Sequence, residues 1–176
     1  MARPYQPSLL RLVHGATVLL VPLSWFTGVL VYLRHDARLV RLPFSLDGEW
    51  VDIHGTVGVL LWPIALLFGL YAVTAGRARL RQPANSLALV ALALAVGSGK
   101  MMDEDWLRQT ELHHLVYNVH LFAWVLITLA ATLHVVTVLQ RGGMPLARSM
   151  ASVQVRPNDL PGHWPAQILR SFRGRP

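Results

Sequence analysis

The 176-residue chain contains no cysteine. That excludes disulfides, thiolate-bound iron–sulfur clusters, cysteine zinc sites and covalently attached c-type haem. Charge is scarce as well: 14% of residues are charged against 53% apolar, and the mean hydropathy is +0.42. Soluble domains carry about a quarter charged residues, so a soluble globule is disfavoured. Acids are the scarcer sign, nine against sixteen bases, for a net charge of +7. Such a surplus suits nucleic acid or a membrane surface, and its placement argues for the membrane and against nucleic acid. There is no nucleophile–base pair, no glycine-rich phosphate loop and no pair of carboxylates within an apolar segment, so hydrolase or transferase chemistry has no visible machinery. Internal repeats, low-complexity tracts and a soluble domain between apolar runs are also missing. The first apolar run is too long for a signal peptide and no small-residue cleavage site follows it.

What is present is four apolar runs of membrane-spanning length, at about residues 9–33, 54–75, 84–102 and 115–139. A span needs about 20 residues. The expectation is an all-α integral membrane four-helix bundle over residues 1–141, followed by a basic tail over 142–176. The N-terminal segment, the second connection and the tail carry Arg3, Arg11, Arg77, Arg79, Arg81 and six tail arginines against a single acid, Asp159. The first and third connections carry Arg34, Arg38, Arg41, Lys100 and Arg108 against all the other acids. The positive-inside rule then predicts cytoplasmic N- and C-termini. The tail, rich in proline and arginine, is not expected to form a packed domain. Two readings stay open for it: a helix around Trp164, Ile168, Leu169 and Phe172 lying on anionic lipid, or a disordered basic segment.

Four of the eight histidines, His14, His54, His120 and His134, fall inside the spans. Ionisable residues in hydrocarbon are costly, which makes each a functional candidate. His120 and His134 are 14 residues apart, so at about 100° and 1.5 Å per residue they share one helix face about 21 Å apart along the axis. With the orientation above, His14 lies at the inner level with His134, and His54 at the outer level with His120. Two facing pairs at two depths suit haem iron, whose porphyrin supplies the other four nitrogens, better than zinc, which takes four ligands or three and water. Two axial imidazoles leave no open position and favour electron transfer over oxygen chemistry. Gly28 stands 14 residues after His14 and Gly69 15 after His54. Each is therefore at the level of the other pair, where a small residue gives a macrocycle clearance, or else simply a site of close helix packing.

Arg11-Leu-Val-His14-Gly15, Asp52-Ile-His54-Gly55, and Tyr117-Asn-Val-His120-Leu-Phe-Ala-Trp124 leading to Leu133-His134 together resemble the bacterial cytochrome b561 family. That family lies within the wider group of four-helix di-haem b-type cytochromes, which includes the cytochrome b subunits of membrane hydrogenases and formate dehydrogenases. Ser98-Gly-Lys-Met-Met-Asp-Glu-Asp-Trp106 and Arg3-Pro-Tyr-Gln-Pro7 are most similar to small cyanobacterial cytochrome b proteins. The resemblance covers roughly residues 8 to 141. It implies two non-covalent b haems, one on His14 and His134 (inner) and one on His54 and His120 (outer), and quinone oxidation or reduction at a membrane surface. A respiratory electron carrier or a quinone-linked oxidoreductase in the bacterial cytoplasmic membrane, or a thylakoid membrane, follows as the expectation. Its electron donor and acceptor are unspecified. The alternatives are a membrane cytochrome b subunit of a larger redox complex, a haem-free assembly or interaction subunit, and a proton channel.

Other residues keep two readings. Arg11 and Lys100 are candidate counter-ions for haem propionates, or membrane-interface anchors. His113 and His114 are candidate contacts for a quinone or a propionate, or solvated surface histidines. Trp25, Trp62 and Trp124 are packing or pocket walls rather than relays, Trp50 and Trp106 interface residues. Asp103, Glu104 and Asp105 form an acidic outer loop, solvated or docking a basic carrier. His35 and His163 have no assigned role.

Overall fold

The computed structural model describes residues 4–36, 38, 40, 44 and 47–172, apart from the side chains at 106, 108 and 171. Among these residues every regular element is helical: α1 (Ser8–His35), α2 (Trp50–Val73), α3 (Pro83–Asp103), α4 (Asp105–Arg108), α5 (Leu112–Met150) and α6 (Trp164–Phe172), with short 3₁₀ turns at Arg77–Arg81, Pro157–Asp159 and Pro161–His163. α1, α2, α3 and α5 are each long and apolar enough to cross a membrane. Large apolar side chains are left outward on them, as with Leu19 at 74% exposure and Leu129 at 62%, which is what a helix surface solvated by lipid requires.

The helix limits differ from the apolar runs where polar residues extend a helix beyond hydrocarbon. α2 begins a turn before His54, with Asp52 in its first turn, where a negative charge complements the helix dipole. α3 opens on Pro83 at its first position, where the missing N–H costs nothing. α5 continues well past Leu139 and breaks at Gly143, whose φ of 58° lies in the left-handed region; Pro145 follows. The Trp106 side chain, expected at the outer interface, lies outside the described residues, as do Arg3, Arg41, Arg173 and Arg175.

α1 packs along α2, α3 packs along α5, and α2 contacts α3. By contrast, α5 meets α1 at few places and hardly approaches α2. Two close helix pairs thus face each other across a seam. Midway along it the rings of Trp25 and Trp124 stack at 5.2 Å, and Trp25 Nε1 donates to Thr128 Oγ1 at 2.8 Å. At one end, Asp36 ties the end of α1 to α5. The Arg38 guanidinium and then the Tyr117 hydroxyl donate to its carboxylate and hold its pKa down at about 2.

Of the two readings of the tail, the structure has the helix, α6 over Trp164–Phe172, and beyond α5 the tail folds back onto the start of α1. The cause is Asp159, 5% exposed. Its Oδ2 accepts from the Ser8 backbone N–H at 2.6 Å and from the Tyr5 hydroxyl, while Oδ1 accepts from Gln167 at 2.9 Å. α1 has no cap from its own preceding residues, so a carboxylate from the far end of the chain satisfies its first N–H and complements its positive end. Trp164 donates to Ser8 Oγ at 2.9 Å, and Arg11 donates to the carbonyls of Ser152 and Gln154. Leu9 lies with Trp164, Ile168 and Leu169 of α6 around a shallow apolar groove.

Burial alone would raise the Asp159 pKa, but the bonds from Tyr5, Gln167 and Ser8 hold it below the ordinary carboxyl value. The ionised form is therefore the docked form. Docking is complete above the free-carboxyl value of about 4 and is lost as pH falls through the lowered one. Replacing a buried acceptor in this way costs about 1–3 kcal/mol. Asp159→Ala is expected to raise the rate of proteolysis within the tail about tenfold at neutral pH while leaving the four long helices intact by circular dichroism. An unchanged cleavage rate would show that Asp159 does not hold the tail.

Candidate functional site: two histidine pairs across the helix seam

The four long helices bring the intramembrane histidines together in two pairs. His14 of α1 and His134 of α5 have ring centroids 6.1 Å apart, and His54 of α2 and His120 of α5 have theirs 6.2 Å apart. Both pairs bridge the seam, where the backbones stand apart. We call His14 and His134 the near pair, on the side of the chain termini, and His54 and His120 the far pair. Thr27, which touches the far pair, is 13 residues beyond His14 on α1, so the two levels are separated by about 20 Å along the helix.

Three of the four rings have their Nδ1 engaged. Thr27 Oγ1 is 3.1 Å from His54 Nδ1 and Ser98 Oγ is 2.9 Å from His120 Nδ1. Each hydroxyl also bonds the carbonyl four residues back on its own helix, Thr27 to Leu23 at 2.9 Å and Ser98 to Leu94 at 2.6 Å. A hydroxyl has a single proton; with that proton on the carbonyl, complementarity assigns the ring proton to Nδ1 and leaves a lone pair on Nε2. His134 Nδ1 is 2.9 Å from Asn85 Oδ1, and Asn85 Nδ2 donates to the Arg79 carbonyl at 2.8 Å, which fixes the amide the same way round. His14 has no such partner among the described residues and meets the edge of Phe68 at 5.9 Å between centroids.

The donor set is two imidazoles at each level. Among the described residues no cluster of three or more His, Cys, Asp or Glu could hold a metal ion, so neither level offers the three or four ligands of a zinc site. Two imidazoles sharing one metal from opposite sides, at metal–nitrogen distances of about 2 Å and with each ring centre about 1 Å behind its nitrogen, would have centroids roughly 6 Å apart. Both pairs have that spacing. By ring spacing the residues present therefore fit a bis-histidine macrocycle at each level, and His54, His120 and His134 have Nδ1 held by the protein.

Sequence reasoning placed Gly28 and Gly69 as clearance for a macrocycle. The structure gives Gly28 a different neighbour: a Cβ there would stand 3.1 Å from Cε1 of His54, so the glycine makes room for an imidazole ring. Gly99, not singled out in the sequence, does the same for His120, also at 3.1 Å. A Cβ on Gly69 would meet nothing within 4 Å. Thr27, Ser98 and Asn85 were not singled out either. A signal existed on α3: Asn85 and Ser98, two of the few polar residues in an otherwise apolar run, are 13 residues apart, nearly the spacing of the two histidines they contact on the antiparallel neighbour.

The remaining candidates are engaged elsewhere or stand at the margin. Arg11, buried with both terminal nitrogens on tail carbonyls, is committed to the tail rather than free for a propionate. Lys100 pairs with the half-buried Glu104 at 2.8 Å and the exposed Asp103 at 3.2 Å, in contacts worth little to stability. His113 and His114 have ring centroids 6.0 Å apart. His113 Nδ1 is buried and has no hydrogen-bond partner among the described residues. Compared with protein-family models, curated proteins and solved structures, the chain matches none of them.

In a helix, glycine to alanine normally gains about 0.5–1 kcal/mol; crowding a packed side chain costs about 1–3 kcal/mol. Gly28→Ala and Gly99→Ala are thus expected to lower the thermal unfolding midpoint, whereas Gly69→Ala, with open space around it, raises or preserves it. Equal midpoints for the three variants would show that the two rings are not held where the structure puts them.

Proposed function

We propose that the chain is an integral membrane di-haem cytochrome b that carries electrons across the bilayer, in the manner of the cytochrome b561-like proteins its motifs resemble. The observation that carries this reading is the repetition, at two depths, of an imidazole pair at the spacing of a bis-histidine metal site. A b-type haem held at each pair would supply a one-electron iron couple. The chain's own contribution is to hold the imidazoles. His14 and His134 hold one group, His54 and His120 the other, and α5 provides one ligand to each.

The arginine distribution supports cytoplasmic termini, with the near pair toward the cytoplasm and the far pair toward the opposite surface. In this reading the bacterial cytoplasmic membrane houses the protein, and one surface exchanges electrons with a quinone. His113, with its unpartnered buried Nδ1 seven residues before His120 on α5, is the side chain best supported as a quinone contact at the far level. A hydrogen-bond donor or acceptor left bare at an apolar boundary is costly unless a ligand or water meets it.

A reduced-minus-oxidised spectrum of the detergent-purified chain, with haem counted per chain as pyridine haemochrome, tests the proposal. Two b haems per chain are expected, falling to one or none in His120→Ala and in His134→Ala. One haem in the unsubstituted protein would mean that one pair is not a haem site. No Soret absorbance after expression with adequate haem would overturn the reading in favour of a haem-free assembly or interaction subunit. A partner retained through mild-detergent purification would place the chain within a larger redox complex.

A further inference from the structure

The far pair carries a device that holding a metal does not by itself require. Each of its rings faces a hydroxyl followed immediately by a glycine: Thr27-Gly28 on α1 against His54, and Ser98-Gly99 on α3 against His120. Neither α1 nor α3 contributes a ring to this pair. The two steps do matching jobs. The hydroxyl engages Nδ1 while its own proton rests on the helix carbonyl, and the adjoining glycine leaves the room that the Cε1 edge occupies. A side chain at either glycine would put a carbon 3.1 Å from Cε1 and push the ring away from the hydroxyl. Two helices of unlike sequence thus present the same arrangement to two rings. The near pair lacks it: His134 has the Asn85 amide, and the nearest helical hydroxyl to His14 in sequence, Thr17, bonds the Val13 carbonyl instead.

We propose that Thr27 and Ser98 are positioning residues that hold both far imidazoles as the Nδ1-protonated tautomer and, by accepting that proton's hydrogen bond, raise the basicity of Nε2. This rests on the reading of the pairs as haem ligands. A more basic axial nitrogen favours the oxidised iron, so the two hydroxyls lower the potential of the far haem while leaving the near haem unaffected. The Ser24 and Ala95 carbonyls also approach the two rings. They remain as acceptors when the hydroxyls are removed, which favours a shift in potential over loss of the haem.

The test is a potentiometric titration of both haems in the full-length protein, with the far haem identified as the one missing from His120→Ala. In Thr27→Val/Ser98→Ala the far potential is expected to rise by the equivalent of about a tenfold change in the ratio of oxidised to reduced affinity, which for one electron is about 59 mV. The near potential stays where it was, and Thr27→Ser/Ser98→Thr, which keeps both hydroxyls, matches the unsubstituted protein. Selective loss of the far haem from the first variant and its retention in the second supports the same assignment. Two haems with unmoved potentials, equal movement or loss of both, or a hydroxyl-keeping variant that behaves like the hydroxyl-free one would overturn it while leaving the two-haem reading intact. Absence of haem from the unsubstituted protein would overturn that reading itself, and this inference with it.

Discussion

A histidine inside hydrocarbon has two ring nitrogens and no water to satisfy them. An amide or imidazole left bare in an apolar medium costs several kcal/mol, so each buried ring needs a partner at each nitrogen or a ligand in place of one. Four such rings in one small helical protein are a severe constraint. The arrangement of the helices can be understood from it: α1 and α2 stand off from α5, toward which their rings reach, and closer contact is reserved for α1 with α2 and α3 with α5. Polar side chains within the long helices are correspondingly used on the rings. Thr27, Ser98 and Asn85 all contact histidines, and a threonine hydroxyl that does not, such as Thr17, turns to its own helix carbonyl.

This gives α3 a part its sequence hides. It contributes no ring to either pair, yet it holds both rings of α5, His134 through Asn85 and His120 through Ser98. Its close packing along α5 is what allows short side chains to reach. α1 serves both levels in a different way, supplying His14 to one pair and the Thr27-Gly28 step to the other. A ring and its support therefore come from different helices, so neither pair can form unless several helices are correctly packed. Helix packing in a membrane gains little from hydrophobic burial, and specific polar contacts of this kind are one of the remaining ways to fix register.

The long helices and the pairing of the rings were legible because both depend on local periodicity. Length, hydropathy and a 14-residue interval survive without any tertiary information. The helix limits were less legible: α2 starts a turn before its apolar run and α5 passes well beyond its own, because a helix needs hydrogen bonds and dipole complements, not hydrocarbon, at its ends. The supporting hydroxyls were missed because threonine and serine usually satisfy themselves on a helix carbonyl, and nothing local distinguishes Thr17, which only does that, from Thr27, which also meets a ring. Gly28 was placed at the right level, but the His54 ring beside it was not foreseen, since the interval gives depth along a helix and not which group fills the space. The tail was least legible. Its fold depends on one carboxylate meeting residues about 150 positions away in the chain, a contact that composition cannot reveal.

That tail bears on the least supported ring. Among the described residues His14 has no partner for Nδ1, and it lies within the second turn of a helix that lacks a cap of its own. Fraying of the first turn of α1 would loosen the turn that carries it. The contacts made by the tail all fall on that turn or just before it: Asp159 on Ser8 and Tyr5, Trp164 on Ser8, and the carbonyls of Ser152 and Gln154 on Arg11. Arg11 is one turn below His14 on nearly the same face, so anchoring its guanidinium fixes the rotation as well as the start of the helix. At the far level a ring is held by a hydroxyl beside it. At the near level His14 is held through its backbone, by a segment that closes over the helix end. The two sites thus reach similar ring spacings with different supports, and the tail's contacts on α1 lie beside the near one.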